Sequence, residues 1–392
     1  MRPAAPPRLL LAALIAVGTA AVPIYVPALP LVAADLGASR IEVQQTVTLY
    51  LVVFAAAQLL IGPISDSVGR RRVALVGLSA FVLGGVLSAT APTVDVLLAG
   101  RIIQAAGGAA GTVLSRTIIR DVFEGEDVAR ALSRVVTISA LSPILSPIIG
   151  GVIADWFGWR ATLWLLAVAG AAVLLATLLL LPETARDRGT RHGILNTLAT
   201  YGRFLATPSF MVYNLIGAML TATYYAFLTG MPLVLAHELG LGASETGLWF
   251  ATIPVTYLIG NAASARFGSR IGMASLLQGG IIVTTLGILA ILASAALLPA
   301  SAAAWFLPVM LMSLGHGLGN PNANARAMTA IDSRVGTAVA LLGGSQVAMA
   351  SLSSGAVSLA YDGTIWPVLG VMTALQTAIV LLFLMARRRA SG

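Results

Sequence analysis

Residues 49–72 read LYLVVFAAAQLLIGPISDSVGRRR. The stretch is uncharged as far as Ser65 and then meets one acid, a glycine and three consecutive arginines. An apolar run that stops against a basic cluster reads as the end of a membrane span, because arginine is held back on the cytoplasmic side and costs several kcal/mol, about +2.5 to +3.5, at a helix centre. The pattern recurs along all 392 residues, of which 58% are hydrophobic and 10% charged. Soluble domains carry roughly 25% charge and need far less apolar surface.

Windows of about 19 residues place spans at 9–34, 42–63, 73–91, 94–118, 131–154 and 160–182, then at 209–235, 245–265, 272–297, 303–326, 336–359 and 364–386. Each is close to the roughly 20 residues that cross the hydrocarbon layer, and unpaired backbone groups in lipid require them to be helical. The segment Met1–Pro30 imitates a secretory signal, with Arg2 and Arg8 ahead of an apolar run, yet that run continues through Val32 and reads as the first span. Between the two sets lies the longest polar stretch, 183–208, with Glu183, Arg186, Asp187, Arg188, Arg191, His192 and Arg203. It divides the chain into an N-terminal half, 1–182, and a C-terminal half, 209–392.

All 23 basic residues are arginine and there is no cysteine, so disulfides, thiolate metal sites and cysteine nucleophiles are excluded together. The net charge of +8 would point to nucleic acid in a soluble chain. Here the arginines fall on alternate loops, with Arg40 and Arg160 on the opposite loops and Arg101 inside a span. That asymmetry predicts both termini on the cytoplasmic side. The sequence contains no P-loop, H-E-x-x-H or G-x-S-x-G, and its three scattered histidines make a poor metal set, so an integral-membrane enzyme is disfavoured.

After the second span, Gly62, Asp66, Gly69, Arg70 and Arg71 resemble the G-x-x-x-D-x-x-G-R-R signature of the major facilitator superfamily. The small residues permit close approach and a tight turn, and Asp66 can pair with an arginine or meet a helix N-terminus, latching the cytoplasmic face. The resemblance implies an all-α membrane protein of twelve transmembrane helices in two pseudo-symmetric six-helix bundles. Gly260–Gly272 looks like a degraded copy of the signature, with Ala265 at the place of the acid. In the fourth span Arg101-x-x-Gln104-x-x-Gly107-Gly108 is similar to the family's R-x-x-Q-G-x-G-type motif, and an arginine so deep in a span must face the protein interior.

Pro143, Pro147, Gly150 and Gly151 in the fifth span make a kinked helix with a close-packing face. They resemble the exporter motif of the bicyclomycin-resistance (Bcr/CflA) group of drug:H⁺ antiporters, as does Tyr25-x-Pro27-x-x-Pro30 in the first span. That group carries an aspartate two residues before the tyrosine; here Pro23 stands there. All fifteen acids fall in loops or at span ends. The intramembrane ionisable groups are therefore Arg101 and His316, and histidine alone titrates near neutral pH. Asp35, at the outer end of the first span, is a second candidate for coupling.

His316, Asn320 and Asn324 share one face of the tenth span, where Pro321 and neighbouring glycines weaken the helix. Tyr50, Phe54 and Gln58 share a face of the second span, Asn214, Tyr224 and Tyr225 punctuate the seventh, and Gln346 lies near the centre of the eleventh. With Tyr25 they are the candidate substrate contacts, an aromatic and weakly charged set suited to an amphipathic organic molecule. The expectation is a monomeric secondary active exporter in a bacterial cytoplasmic membrane, driven by proton antiport without cofactor, metal or nucleic acid. The alternative is an uncoupled or symport-type carrier of a metabolite with the same fold.

Overall fold

The computed structural model describes residues 5–124, 126–185, 194–298, 301–331 and 335–391. Arg2, the linker residues Arg186 to His192, Asp332 and Arg334 lie outside the described residues. The described residues form fifteen α-helices and no strand. They are α1 (Arg8–Ala20), α2 (Leu29–Leu36), α3 (Arg40–Val68), α4 (Arg70–Ala89), α5 (Val94–Val122), α6 (Glu126–Ser139), α7 (Leu141–Phe157) and α8 (Trp159–Leu180). They continue as α9 (Ile194–Leu205), α10 (Pro208–Glu238), α11 (Ala243–Ile271), α12 (Met273–Leu297), α13 (Ala302–Met328), α14 (Val335–Ala360) and α15 (Trp366–Ser391).

Fifteen helices cover twelve expected spans because two spans are broken and the linker contributes α9. The first span breaks between α1 and α2. Pro23 has no amide for the Thr19 carbonyl, the Tyr25 amide turns back to Val22 at 3.1 Å, and a single 3₁₀ turn over Val26–Ala28 restarts the helix. The fifth span breaks at Ala140, one turn ahead of Pro143, the proline that deprives the Ser139 carbonyl of its amide. Nine described helical stretches are long and apolar enough to cross a membrane. Helices α1 and α2 share the first expected span, and α11 and α14 cover the eighth and eleventh. Large apolar side chains such as Val76, Leu179 and Leu359 are exposed, as lipid-facing positions are.

The chain divides into two compact units, Met1–Thr200 and Tyr201–Gly392. In the first, α5 is the central helix, packed against α1, α3 and α4, with α4 also on α8. In the second, α13 packs in the same way against α10, α11 and α12, with α12 also on α15. Ile216, Leu220, Leu277, Ile281, Ala323 and Ile379 form a buried core there.

The backbone carries the same repeat. The described glycines with positive φ are Gly37, Gly69 and Gly158 in the first unit and Gly240, Gly272 and Gly363 in the second. They recur at a nearly constant interval and lie at corresponding helix junctions, which only a residue without Cβ turns cheaply. Setting Gly272 opposite Gly69 puts Ala265 opposite Gly62, Ser269 opposite Asp66 and Met273 opposite Arg70. The degraded copy therefore has serine at the acidic position; Ala265 stands for the first glycine, and the acid's place lies four residues beyond where the motif alone placed it.

The helix seams match as well. A side chain on Gly84 of α4 would strike the Gly100 carbonyl and the Gln104 backbone of α5, and one on Gly280 of α12 would strike the Gly315 carbonyl and the Gly319 backbone of α13. Gly100 and Gly315 in turn lie against Ser88 and Thr284. Arg101 and His316 each follow the seam glycine of the central helix. Arg101 and His316 thus occupy equivalent positions of the two repeats.

Candidate functional site

In the first unit Arg101 is fully buried on α5. Its Nη1 donates to Gln104 Oε1 at 2.7 Å and its Nη2 to the Ala21 carbonyl at 3.1 Å. That carbonyl is open because the Tyr25 amide, its helical partner, bonds Val22 instead. The guanidinium carbon lies 4.3 Å from the Tyr50 ring centre and 4.8 Å from that of Tyr25, so the cation is held between two aromatic faces. Tyr50 donates to the Gly18 carbonyl at 3.2 Å and stacks on Phe54 at 5.8 Å, while Thr46 donates to the Tyr25 hydroxyl at 3.1 Å. Gln58 is buried on the same helix. Arg101 Nε and Gln104 Nε2 are buried without a hydrogen-bond partner. A buried cation is tolerable only with such company.

In the second unit the amides of α13 form a ladder. Asn324 Nδ2 donates to Asn320 Oδ1 at 2.9 Å, and Gln346 Nε2 donates to Asn324 Oδ1 at 3.0 Å. Asn320 Nδ2 donates across to Thr221 Oγ1 of α10 at 3.0 Å, and Asn214 Nδ2 donates to Ser345 Oγ of α14 at 3.1 Å. The ladder ties α10, α13 and α14 through groups that exchange partners at little cost. His316 lies one turn before Asn320, 4% exposed, and its Nε2 has no hydrogen-bond partner. Asn324 lies against Gly217 and Asn320 bonds Thr221, so the antiparallel register brings the next turn of α10, with Tyr224 and Tyr225, to the level of His316. Those two tyrosines are half-buried and meet edge to face at 5.3 Å. Phe227 of α10, Trp249 and Phe250 of α11 and Phe306 of α13 form an aromatic cluster that no motif announced.

The expected loop over Gly62–Arg72 is helical except at Gly69, which joins α3 to α4, and the motif closes on its own unit. Arg70 Nη1 pairs with Asp66 Oδ1 at 2.5 Å, its Nε with Asp121 Oδ2 at 3.0 Å, and its backbone amide donates to Glu183 Oε1 at 2.9 Å. Arg71 Nη2 donates to the Leu178 carbonyl at 2.8 Å. The ends of α3, α4, α5 and α8 are drawn together by one arginine. Asp121 and Glu183 were not singled out in the sequence; their signal is an acid at a helix end facing a loop of arginines. Gly69 turns the chain at φ 109° against the Glu183 carboxylate, whereas open space surrounds Gly62. Close approach is thus a property of Gly69 alone.

At the other end of the unit Asp35 pairs with Arg160 and accepts from Trp159 Nε1 at 3.1 Å. The Arg160 guanidinium first, then the Trp159 N–H, holds its carboxyl below the ordinary range. Arg160 also donates to the Ala91 carbonyl at 3.0 Å, so Asp35 belongs to a clasp between span ends. On α7, Pro147 lies within the helix, Pro143 in its first turn, and Gly150 against the Ile24 carbonyl at the break of the first span, with Gly151 buried beside it. Every described carboxylate lies in a loop or near a helix end. Among the described residues no cluster of metal-binding side chains occurs.

A sequence model of the Major Facilitator Superfamily matches residues 9–354. Multidrug resistance protein D of Escherichia coli (strain K12) is 31% identical over 349 residues, 86% of this chain and 84% of that protein. A chloramphenicol resistance protein of Pseudomonas aeruginosa is 27% identical over 383 residues, 94% of this chain and 87% of its own length. In three dimensions the fold is similar to that of a D-xylose–proton symporter, with a TM-score of 0.74 at 15% identity over 96% of each chain.

Proposed function

The chain belongs to the Major Facilitator Superfamily, and from that membership we propose that it exports small amphipathic organic compounds across a bacterial cytoplasmic membrane in exchange for protons. It is a multi-pass membrane transporter, not an enzyme. The names of the relatives support export of drug-like molecules over uptake of a sugar. The Tyr25-Pro27-Pro30 and Pro143-Pro147-Gly150-Gly151 patterns support a place in the Bcr/CflA group.

The observation that carries proton coupling is the unpartnered His316 Nε2, buried in the spans at the position where the other repeat holds a permanent cation. Imidazole is the side chain in the spans whose charge changes near neutral pH, and no described group ties up His316 Nε2. Protonation turns it into a donor one turn from the Asn320 ladder, where substrate contacts and proton share one helix face. Arg101 supplies fixed charge in the other unit, and transport proceeds by alternating access in a monomer with both termini cytoplasmic. The proton is the coupling ion and no cofactor takes part.

The test is substrate and proton flux in reconstituted vesicles under an imposed pH gradient, with His316→Ala beside the wild type. Gradient-driven flux absent in the variant, with insertion intact, is expected. Flux indifferent to the gradient in the wild type removes antiport; flux preserved in His316→Ala removes that residue. The second reading, an uncoupled or symport-type metabolite carrier, is favoured by the absence of any carboxylate deep in a described span.

A further inference from the structure

A cavity of about 560 Å³ opens at the end of the second unit where α10 begins and α13 and α15 end. It is lined by Pro208, Ser209 and Tyr213 of α10, Arg326 and Thr329 of α13, and Ala386 of α15. Among the described residues no carboxylate contributes to the lining. Arg326 lies over the Tyr213 ring at 4.7 Å, which fixes the plane of the guanidinium, and its Nε is buried with no hydrogen-bond partner. Apart from that ring, no described group pairs with its side chain. A cation whose Nε–H is hidden from solvent and unmatched is a group waiting for an acceptor.

The cavity offers that acceptor further donors. Helix α10 starts at Pro208, which has no amide, and without a side-chain cap from Thr207, so the amides of Ser209 and Phe210 have no cap, and Ser209 lines the cavity. Fork-shaped guanidinium, hydroxyl and open helix amides together match the tetrahedral oxygens of a phosphate group. The repeat has no counterpart: the residue opposite Arg326 on α5 is Gly111. The feature is therefore not part of the common scaffold.

We propose that this cavity binds a phosphate-bearing anion, held by Arg326 and the first turn of α10. The shared chemistry is the phosphate group, whether free in solution or in the headgroup of an anionic phospholipid; the volume exceeds what inorganic phosphate alone fills. The site is independent of the transport reading above.

The test uses the purified full chain in a neutral detergent and reads its thermal unfolding midpoint during two titrations. One probe is inorganic phosphate; the other is phosphatidylglycerol in mixed micelles, against phosphatidylcholine at equal amounts. A saturable rise with either probe is expected, phosphate assigning a soluble ligand and phosphatidylglycerol alone a headgroup. Arg326→Gln is expected to weaken that response about tenfold or more, and Arg270→Gln, outside the lining, to leave it unchanged. Ser209→Asp puts a negative charge into the cavity at an exposed position that favours an acid for the helix, so it abolishes binding without endangering folding. It carries the test should Arg326→Gln not fold. No rise with either probe, or a wild-type response from the folded variants, overturns the proposal.

Discussion

Arg101 Nη2 donates a 3.1 Å hydrogen bond to the carbonyl of Ala21, an oxygen that an unbroken first helix would keep for itself. The break at Pro23 and the buried arginine of α5 are one construction. Where the resembling group places an acid, this chain has the residue that opens a backbone acceptor for the cation.

Arginine is needed there for its fork. Lysine keeps the charge but cannot reach Gln104 and Ala21 together or lie flat between Tyr25 and Tyr50. Arg101→Lys and Arg101→Ala are both expected to lower gradient-driven flux at least about tenfold, with the protein still inserted. Flux per inserted molecule in vesicles checks this; full flux in Arg101→Lys would show that charge alone suffices.

Asn320 is the node of the amide ladder, accepting from Asn324 and donating to Thr221, whereas Asn214 makes one side-chain contact, to Ser345. Asn320→Ala strands the polar groups on both sides and is expected to destabilise the fold by about 1–3 kcal/mol. Asn214→Ala is expected to cost less. Thermal unfolding of the two variants in detergent decides the order.

The two glycines of the cytoplasmic motif are not equivalent. Gly69→Ala must accept φ 109° and crowd the Glu183 carboxylate, at a cost of about 1–3 kcal/mol. Gly62→Ala adds a methyl group into open space within a helix and is expected to be neutral or stabilising by up to about 1 kcal/mol. Folded yield and unfolding midpoint measure both.

The Asp35 clasp has a defined pH dependence. Its carboxyl is held below the ordinary value of about 3.9, so its contribution to stability is complete above that value and is lost as pH falls through the lower folded value. Asp35→Asn is therefore expected to lower the unfolding midpoint at pH 7, the gap to wild type closing as both are taken toward pH 3. A gap that stays constant over this range would remove the ion pair from the account.

The helices were legible because hydropathy and arginine placement act over whole spans, and a twenty-residue apolar segment in lipid has few alternatives to a helix. Breaks were only partly legible. Pro143 and Pro147 announced a bend, but its position at Ala140 depends on which carbonyl loses its amide. Pro23 was noticed as a missing acid, and its effect on the backbone depends on Arg101, far along the chain. Arg101 and His316 stood out because ions are rare in spans; their equivalence needs the seam glycines Gly100 and Gly315 in three dimensions. Asp121, Glu183 and Arg160 looked like ordinary loop charges, since sequence does not tell which helix ends meet.

The glycine pairs separate what both halves need from what one half carries alone. Both halves have the left-handed turns, Gly37 with Gly240, Gly69 with Gly272 and Gly158 with Gly363, while Asp66 and Arg70 stand opposite Ser269 and Met273, and the buried Arg101 opposite His316. What the halves share is geometry: the turns are built twice, and the arginine-centred junction of helix ends once.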